Sequence, residues 1–382
     1  MKKILFDLLS AQPTGNTKYH GGGEYIKTVF QKLCSEFSDK CELSVFYDES
    51  KFIDEWIVHY IKNYKIKKYN IKEISELKIV FESNQFDVFY SGLPYLYNKN
   101  LFPENVIVKG TVHSLRNVEM PVDRYTYIYQ KGLQSFKSFV KYWLWTLTKY
   151  DARRNCLKAN REYLECLTDF ICDSQYSKFS ILQSYPNLEE HKIQVYYAPS
   201  KFETDSITAT SCEDNYILII SGNRWEKNSF RAILAIDQLI TDGLLNNYIV
   251  KVVGDPGIKI KKRIKHIDSF MFFNYLSTED LNKLYSNCSI FLYPTLNEGF
   301  GMPPIEAMRF GKTCILSSVC SLPEVYGDSV YWTNPYDIYE IKNRIMQAVH
   351  NRISQEKVKV KCDAILAKQK IDLIRICTFI IE

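Results

Sequence analysis

No stretch of this 382-residue chain approaches the ~20 consecutive apolar residues needed to span a bilayer, which excludes a transmembrane helix on the sequence alone. Its 11 cysteines contain no C-x-x-C pair, which argues against a paired-thiolate zinc site or a dithiol redox motif. The G-x-G-x-x-G order of a dinucleotide fingerprint is absent, as are short internal repeats and low-complexity tracts. An excess of one charge is also lacking. Lys and Arg number 49 against 44 Asp and Glu, a net charge of +5, which permits contact with an anionic surface without requiring nucleic acid as a partner.

What is present describes an ordinary globular protein. Apolar residues make up 46% and charged residues 24%, and the length suits two domains better than one α/β sheet. The scattered cysteines, several inside apolar segments, read as buried thiols in a reducing compartment, so a cytoplasmic location is expected. Met1-Lys2-Lys3 precedes an apolar run from Ile4 to Leu9 that Asp7 interrupts. With no small-residue cleavage site after it, the run reads as a first β-strand and not a secretory leader.

Strand and helix patterns alternate throughout. Strands are expected at Lys3 to Leu9, Glu42 to Tyr47, Phe86 to Ser91, Val106 to His113, Phe170 to Ser174 and Ile193 to Tyr197, with a helix from Glu24 to Phe37. A second series runs from "YILIISG" at Tyr216 through "YIVKVVG", "MFFNYL", Ser289 to Thr295, "TCILSS" and "SVYW". Such alternation implies parallel sheets covered by helices, an α/β fold in two halves. The polar stretch from Ala198 to Asn215, with Pro199 and no apolar period, divides them. The domains expected are 1–198 and 216–356, a linker at 199–215, and a final segment, 357–382.

Chemistry concentrates near residue 300, in "FLYPTLNEGFGMPPIEAMRFGKTCILSSVCSLPEVYGDSVYW" from Phe291. An apolar strand gives way to Glu298-Gly299-Phe300-Gly301, then Met302, then a helix entered through Pro303 and Pro304. Proline suits a helix start because its missing N–H has no intrahelical partner there. A loop at the carboxyl end of a strand and the amino end of a helix is where open α/β sheets bind anions. Two acids, Glu298 and Glu306, flank it with seven residues between them. A site that attracts anions yet carries acids reads hydroxyl groups beside the phosphates.

This pattern resembles the Glu-x7-Glu signature of retaining glycosyltransferases of the GT-B fold, most closely family 4, the glycosyl transferases group 1. The resemblance continues through Glu306-Ala307-Met308, Gly311-Lys312, Leu322-Pro323-Glu324-Val325 and Gly327-Asp328. It implies two Rossmann-like domains facing a cleft, a nucleotide diphosphate sugar as donor (UDP or GDP), and no metal or other cofactor. It also implies that the last helix crosses back to the first domain.

Other positions gain expected roles from the same resemblance. Asn223-Arg224-Trp225-Glu226-Lys227-Asn228 follows a strand, and its two cations suit a diphosphate: arginine as a bidentate fork, lysine as a point charge. Gly21-Gly22-Gly23 would border the donor phosphates and the acceptor, with Gly22 and Gly23 among the donor-binding residues. His113, at the end of "VIVKGTV" and before Ser114-Leu115-Arg116, is similar in position to a histidine that touches the donor sugar. The loops at Gly254-Asp255-Pro256-Gly257 and Tyr275-Leu276-Ser277 would hold base and ribose, although Ser277 with Asp280 also makes an ordinary helix cap. Glu306 would bind the ribose hydroxyls, Glu298 would orient the sugar, and backbone N–H groups from Gly299 to Met302 would aid Lys227 and Arg224 at the leaving diphosphate.

The aromatic, basic stretch from Lys131 to Arg154, "FKSFVKYWLWTLTKYDARR" within it, suits an anionic membrane surface or a cover for the domain core with its lysines snorkelling. The acceptor implied is a glycan, a lipid-linked oligosaccharide in surface polysaccharide or O-antigen synthesis. Two rival classes remain open: a glycosidase, which also uses paired acids, and a non-catalytic binder of nucleotide sugars or carbohydrate that keeps the fold.

Overall fold

The computed structural model describes residues 1–13, 20–148, 153–200, 215–274 and 276–382. The chain forms two compact units, one from Met1–Leu115, Arg154–Glu203 and Leu366–Glu382, the other from Arg116–Arg153 and Thr204–Ile365. The first unit holds strands β1 (Lys2–Asp7), β2 (Cys41–Tyr47), β3 (Lys67–Asn70), β4 (Val88–Ser91), β5 (Ile107–Thr111), β6 (Asp169–Cys172) and β7 (Ile193–Val195). They form one sheet in the order β3-β2-β1-β4-β5-β6-β7, every pairing parallel. The second unit holds β8 (Tyr216–Ile219), β9 (Ile249–Val253), β10 (Phe270–Phe273), β11 (Ile290–Tyr293), β12 (Thr313–Ser317) and β13 (Tyr331–Thr333), in the order β10-β9-β8-β11-β12-β13, also parallel.

In both sheets the first strand lies inside, and the chain reverses its direction of travel across the sheet at β1/β4 and at β8/β11. Loops leaving such a pair diverge to opposite faces and open a crevice at the carboxyl ends, where ligands of open α/β sheets bind. Strands β4, β8, β11 and β12 are buried at every residue, which is why they read as unbroken apolar runs and not as alternating ones. In the second unit Ile217, Ile219, Leu292 and Ile315 pack with Ile233 and Ile236 of helix Ser229–Thr241 and Ile341 and Ile345 of helix Ile338–His350.

Three expectations need revision. No strand was expected at Lys67-Lys68-Tyr69-Asn70, because the segment has no apolar alternation. It pairs with β2 at the sheet edge, where one side needs no partner and lysines discourage further strand addition. The domain boundary at 198 is also incomplete, since residues 116–153 group with the second unit. Asp123 accepts from Arg231 at 2.9 and 3.2 Å with both side chains 6% exposed. Phe230 N–H donates to the Tyr129 hydroxyl at 2.8 Å, and Lys259 Nζ donates to Gln130 O at 2.8 Å. The last helix, Gln355–Ile381, changes unit at Leu366 and not near Lys357. Beyond that point Lys109 Nζ bonds Phe379 O at 2.7 Å and Asp372 accepts from Tyr197 N–H at 2.9 Å. Positions 201–214 of the expected linker lie outside the described residues.

Candidate active site

The carboxyl ends of β8 and β11 are neighbours in the sheet, and the loops that leave them are stitched together. Leu296 N–H donates to Glu226 O at 2.8 Å, Thr295 Oγ1 donates to the same carbonyl at 3.1 Å, and Asn228 Nδ2 bonds Pro294 O and Pro335 O at 2.9 and 2.7 Å. Asn228 adopts a left-handed conformation, φ 58°, which turns the chain from the cation-bearing loop into helix Ser229–Thr241. This stitching brings Lys227 and Glu298, 71 residues apart, into contact.

Lys227 is 6% and Glu298 8% exposed, so this ion pair is a buried one. Glu298 Oε1 also accepts from the Tyr293 hydroxyl at 2.7 Å and Thr295 Oγ1 at 2.8 Å, and Lys227 Nζ donates to the Tyr293 hydroxyl at 2.7 Å. Burial alone would raise the Glu298 pKa, but the charges of Lys227 and Arg116 and the donated hydrogen bonds outweigh it and bring it to about 2. Burial pulls the Lys227 ammonium in the opposite sense, below its ordinary value. The lysine expected at the leaving diphosphate is paired here with the acid of the signature.

Beside this pair lies a second carboxylate. Glu226 Oε1 accepts from Arg224 Nε at 2.8 Å, from the same guanidinium's terminal nitrogen at 2.5 Å, and from Arg116 at 3.3 Å. Burial tends to raise its pKa, but Arg224 and then Arg116 hold it below the ordinary carboxylate value. The arginines are more open, 41% and 36% exposed against 10% for the acid between them. Three cations and two carboxylates thus converge at one switch point.

The loop after Glu298 is shaped from beneath. Gly301 has φ +88°, and a Cβ there would lie 2.5 Å from Leu322 Cδ2. Its carbonyl accepts from the Tyr326 hydroxyl, and Ser321 Oγ donates to Glu298 O at 3.1 Å. The Leu322-Pro323-Glu324-Val325 segment therefore serves as the floor of the loop. Gly301→Ala adds left-handed strain to an overlap with a buried leucine, and is expected to cost about 2–4 kcal/mol of unfolding free energy in urea denaturation. Gly299 and Phe300 are buried and Met302 opens helix Met302–Met308.

The remaining expected contacts in this unit divide. Glu306 lies in the same helix, half-buried; after burial, its charge is what pushes the Tyr285 hydroxyl upward, which places it beside helix Thr278–Asn287. Gly254, φ +89°, allows the β8 and β9 loops to touch, since a Cβ would meet Asn223 Oδ1 at 2.7 Å and Gly222 N at 2.9 Å. Ser277 caps its helix, accepting from Asp280 N–H at 3.1 Å. Tyr275 lies outside the described residues.

In the first unit the glycines are not a loop before a helix but its first turn: the helix runs Gly21–Glu36. His20 Nδ1 accepts from Gly23 N–H at 3.0 Å, so that donor serves a cap. A Cβ on Gly22 would lie 2.8 Å from Leu93, and one on Gly23 would lie 3.0 Å from Ala11 O, so both glycines serve close packing of the helix. His113 follows β5 with both ring nitrogens engaged, Nδ1 with Asp173 at 2.5 Å and Nε2 with Gly92 O at 3.0 Å, and Tyr25 meets its ring edge-on at 4.8 Å. Asp173 and the Gly92 carbonyl thus fix the orientation of the ring within the first unit.

Residues 201–361 match the family described as Glycosyl transferases group 1. The match lies in the second half of the chain and takes in Glu226, Lys227, Glu298 and Glu306. Over 98 residues it is 38% identical to the serotype-specific mannosyltransferase WbdA of Escherichia coli, which covers 26% of this chain and 12% of that one. Over 163 residues it is 29% identical to the O-antigen chain mannosyltransferase RfbU of Salmonella typhimurium, 42% of this chain and 45% of that one. This chain thus matches only a small part of the length of WbdA. Among solved structures, sucrose-phosphate synthase of Thermosynechococcus elongatus aligns with TM-score 0.72 at 13% identity, covering 99% and 98% of the two chains. HepE of Anabaena, in complex with UDP and glucose, aligns with TM-score 0.66 at 14% identity over 99% of each. The two parallel-sheet units have the GT-B fold.

Two further charged groups of this site, Glu226 and Arg116, carried less signal in the sequence. Glu226 stands inside the segment singled out for its cations, and Arg116 directly follows Ser114-Leu115. An acid two residues from one cation and adjacent to the next was the available signal for Glu226. Arg116 had none, since its partner is 110 residues away. Tyr293 and Thr295 lie in the apolar strand run and give no sign there that their hydroxyls turn to Glu298.

Proposed function

We propose that this protein is a retaining, metal-independent glycosyltransferase that moves a hexose from a UDP- or GDP-sugar to a glycan acceptor carried on a lipid, on the cytoplasmic side of surface polysaccharide or O-antigen synthesis. The observation that carries the reading is the convergence of Arg116, Arg224 and Lys227 on Glu226 and Glu298 at the switch point of the second unit. A diphosphate gains charge as its bond to the anomeric carbon breaks, and fixed cations in a half-buried site stabilise that charge without reorganising. Arg224 and Arg116 exchange Glu226 for phosphate oxygens, and Lys227 holds the inner position. Because WbdA and RfbU are mannosyltransferases by name, mannose is the first sugar to test.

Glu298 orients the donor sugar and, remaining ionised, stabilises positive character at its anomeric carbon. The acceptor hydroxyl attacks from the face the diphosphate leaves, and its proton passes to the departing phosphate; no carboxylate nucleophile is required. A glycosidase would need one of its paired acids protonated near neutral pH, whereas the surrounding cations hold both clustered carboxylates, Glu226 and Glu298, below the ordinary carboxylate value. That observation favours the transferase.

The test is nucleotide release from a panel of UDP-, GDP- and ADP-sugars, mannose donors included, with and without chelator, together with thermal shifts by the free nucleotides. Release from one donor that survives chelation is expected; stabilisation by no nucleotide overturns the proposal. Glu306→Ala should weaken nucleotide binding roughly 10- to 100-fold, the size of one or two hydrogen bonds to a charged group. Wild-type affinity in that variant, measured by calorimetry, removes Glu306 from the ribose.

A further inference from the structure

Helix Gly132–Thr148 packs through Ser135 and Phe139 and leaves most of its described apolar side chains exposed. Ser135 Oγ donates to Tyr127 O at 2.7 Å and accepts from Lys259 Nζ at 2.7 Å, and the Phe139 ring meets Tyr127 edge-on at 5.4 Å. On the opposite side Leu133, Phe136, Leu144 and Leu147 are 67%, 64%, 51% and 75% exposed, with half-buried Val140 between them. Their spacing, 133, 136, 140, 144 and 147, is that of a single helical face. At 1.5 Å per residue the stripe is about 21 Å long. Trp143, 45% exposed, stands at its edge.

A continuous apolar stripe of this kind marks an interaction surface, and the charges around it select the partner. From Lys131 to Arg154 the sequence has six cations (Lys131, Lys137, Lys141, Lys149, Arg153, Arg154) and one acid, Asp151, a net +5. The whole chain is also +5, so the other 358 of its 382 residues sum to zero and the excess lies here. A second copy of the same face would set like charge against like. An anionic lipid surface complements it: leucine and phenylalanine enter the acyl boundary, tryptophan settles at the headgroup level, and lysines reach phosphate.

We propose that helix Gly132–Thr148 seats the protein on anionic phospholipid, lying in the headgroup plane with the Leu133 to Leu147 stripe toward the acyl chains. This goes beyond the transferase reading and does not depend on it, since its readout is lipid binding alone.

The test is co-sedimentation of the full chain with vesicles of phosphatidylcholine and phosphatidylglycerol at 7:3, against phosphatidylcholine alone. Retention by the anionic vesicles is expected. K137Q/K141Q should weaken it about 30-fold, and F136S/L144S about a hundredfold; these side chains stand off the core, so the melting temperature should hold. In the wild-type chain, brominated lipid should quench tryptophan fluorescence, and W143F/W145F should abolish that quenching. The proposal is overturned if anionic vesicles do not retain the chain, if F136S/L144S is retained like wild type, or if the substitutions instead abolish a concentration-dependent dimer.

Discussion

Replacing Lys227 by methionine is expected to cost about 3–5 kcal/mol of unfolding free energy, because it leaves the Glu298 carboxylate buried without its cation. The loss comes less from the missing attraction than from the charge left behind. K227M/E298Q should therefore recover most of the stability, while neither variant recovers turnover. Urea denaturation of the two single variants and the double measures the coupling directly. A stable K227M protein would mean that Tyr293, Thr295 and Arg116 suffice to hold the carboxylate.

The same pair sets an acid limit. The Glu298 pKa is about 2 in the folded chain against 4.5 for the free group, so the folded state holds its proton less tightly than the unfolded state. Its contribution is present in full above about pH 4.5 and is lost as the pH falls toward 2, about 3 kcal/mol across that window at 1.36 kcal/mol per pKa unit. Unfolding free energy measured against pH should fall more steeply in wild type than in K227M/E298Q below pH 4.5. Equal slopes would place the acid sensitivity elsewhere.

How much of this could be read in advance depended on whether the cause was local. Strands β8 and β11 are buried on both faces, so their composition announces them, and the Gly301 turn and its Pro303 helix start are written within a few residues. Strand β3 was invisible because an edge strand needs no apolar alternation. The assignment of residues 116–153 to the second unit rests on Asp123 and Arg231, 108 residues apart, and on hydroxyls that bond across the same gap. The start of the first helix was expected three residues late, at Glu24 and not Gly21, for a different reason. Three glycines ordinarily break a helix, yet here His20 caps the turn and their missing side chains let it pack against Ala11 and Leu93. The signature acids were legible as residues, but their partners were not: nothing in the spacing says that Glu298 pairs with Lys227 while Glu306 faces Tyr285.

The two arginines on Glu226 lead to the second large effect. If they exchange this acid for phosphate oxygens, R224A and R116A should each lower kcat/KM for the donor about 10- to 100-fold, as expected for a charge-assisted hydrogen bond to a group whose charge grows in the transition state. The double variant should lose less than the product of the two, because the remaining arginine relaxes when its shared partner is freed. Glu226→Gln separates holding from binding. It removes the acid that competes with phosphate, so free nucleoside diphosphate should bind several-fold more tightly. The guanidiniums then lose the anchor that aims them, and kcat should fall. An affinity that rises while turnover drops is a signature that a purely structural Glu226 would not produce, since general loosening of the loop weakens both. Parallel loss of affinity and turnover in E226Q, with R116A unchanged, would confine the diphosphate contacts to Arg224 and Lys227.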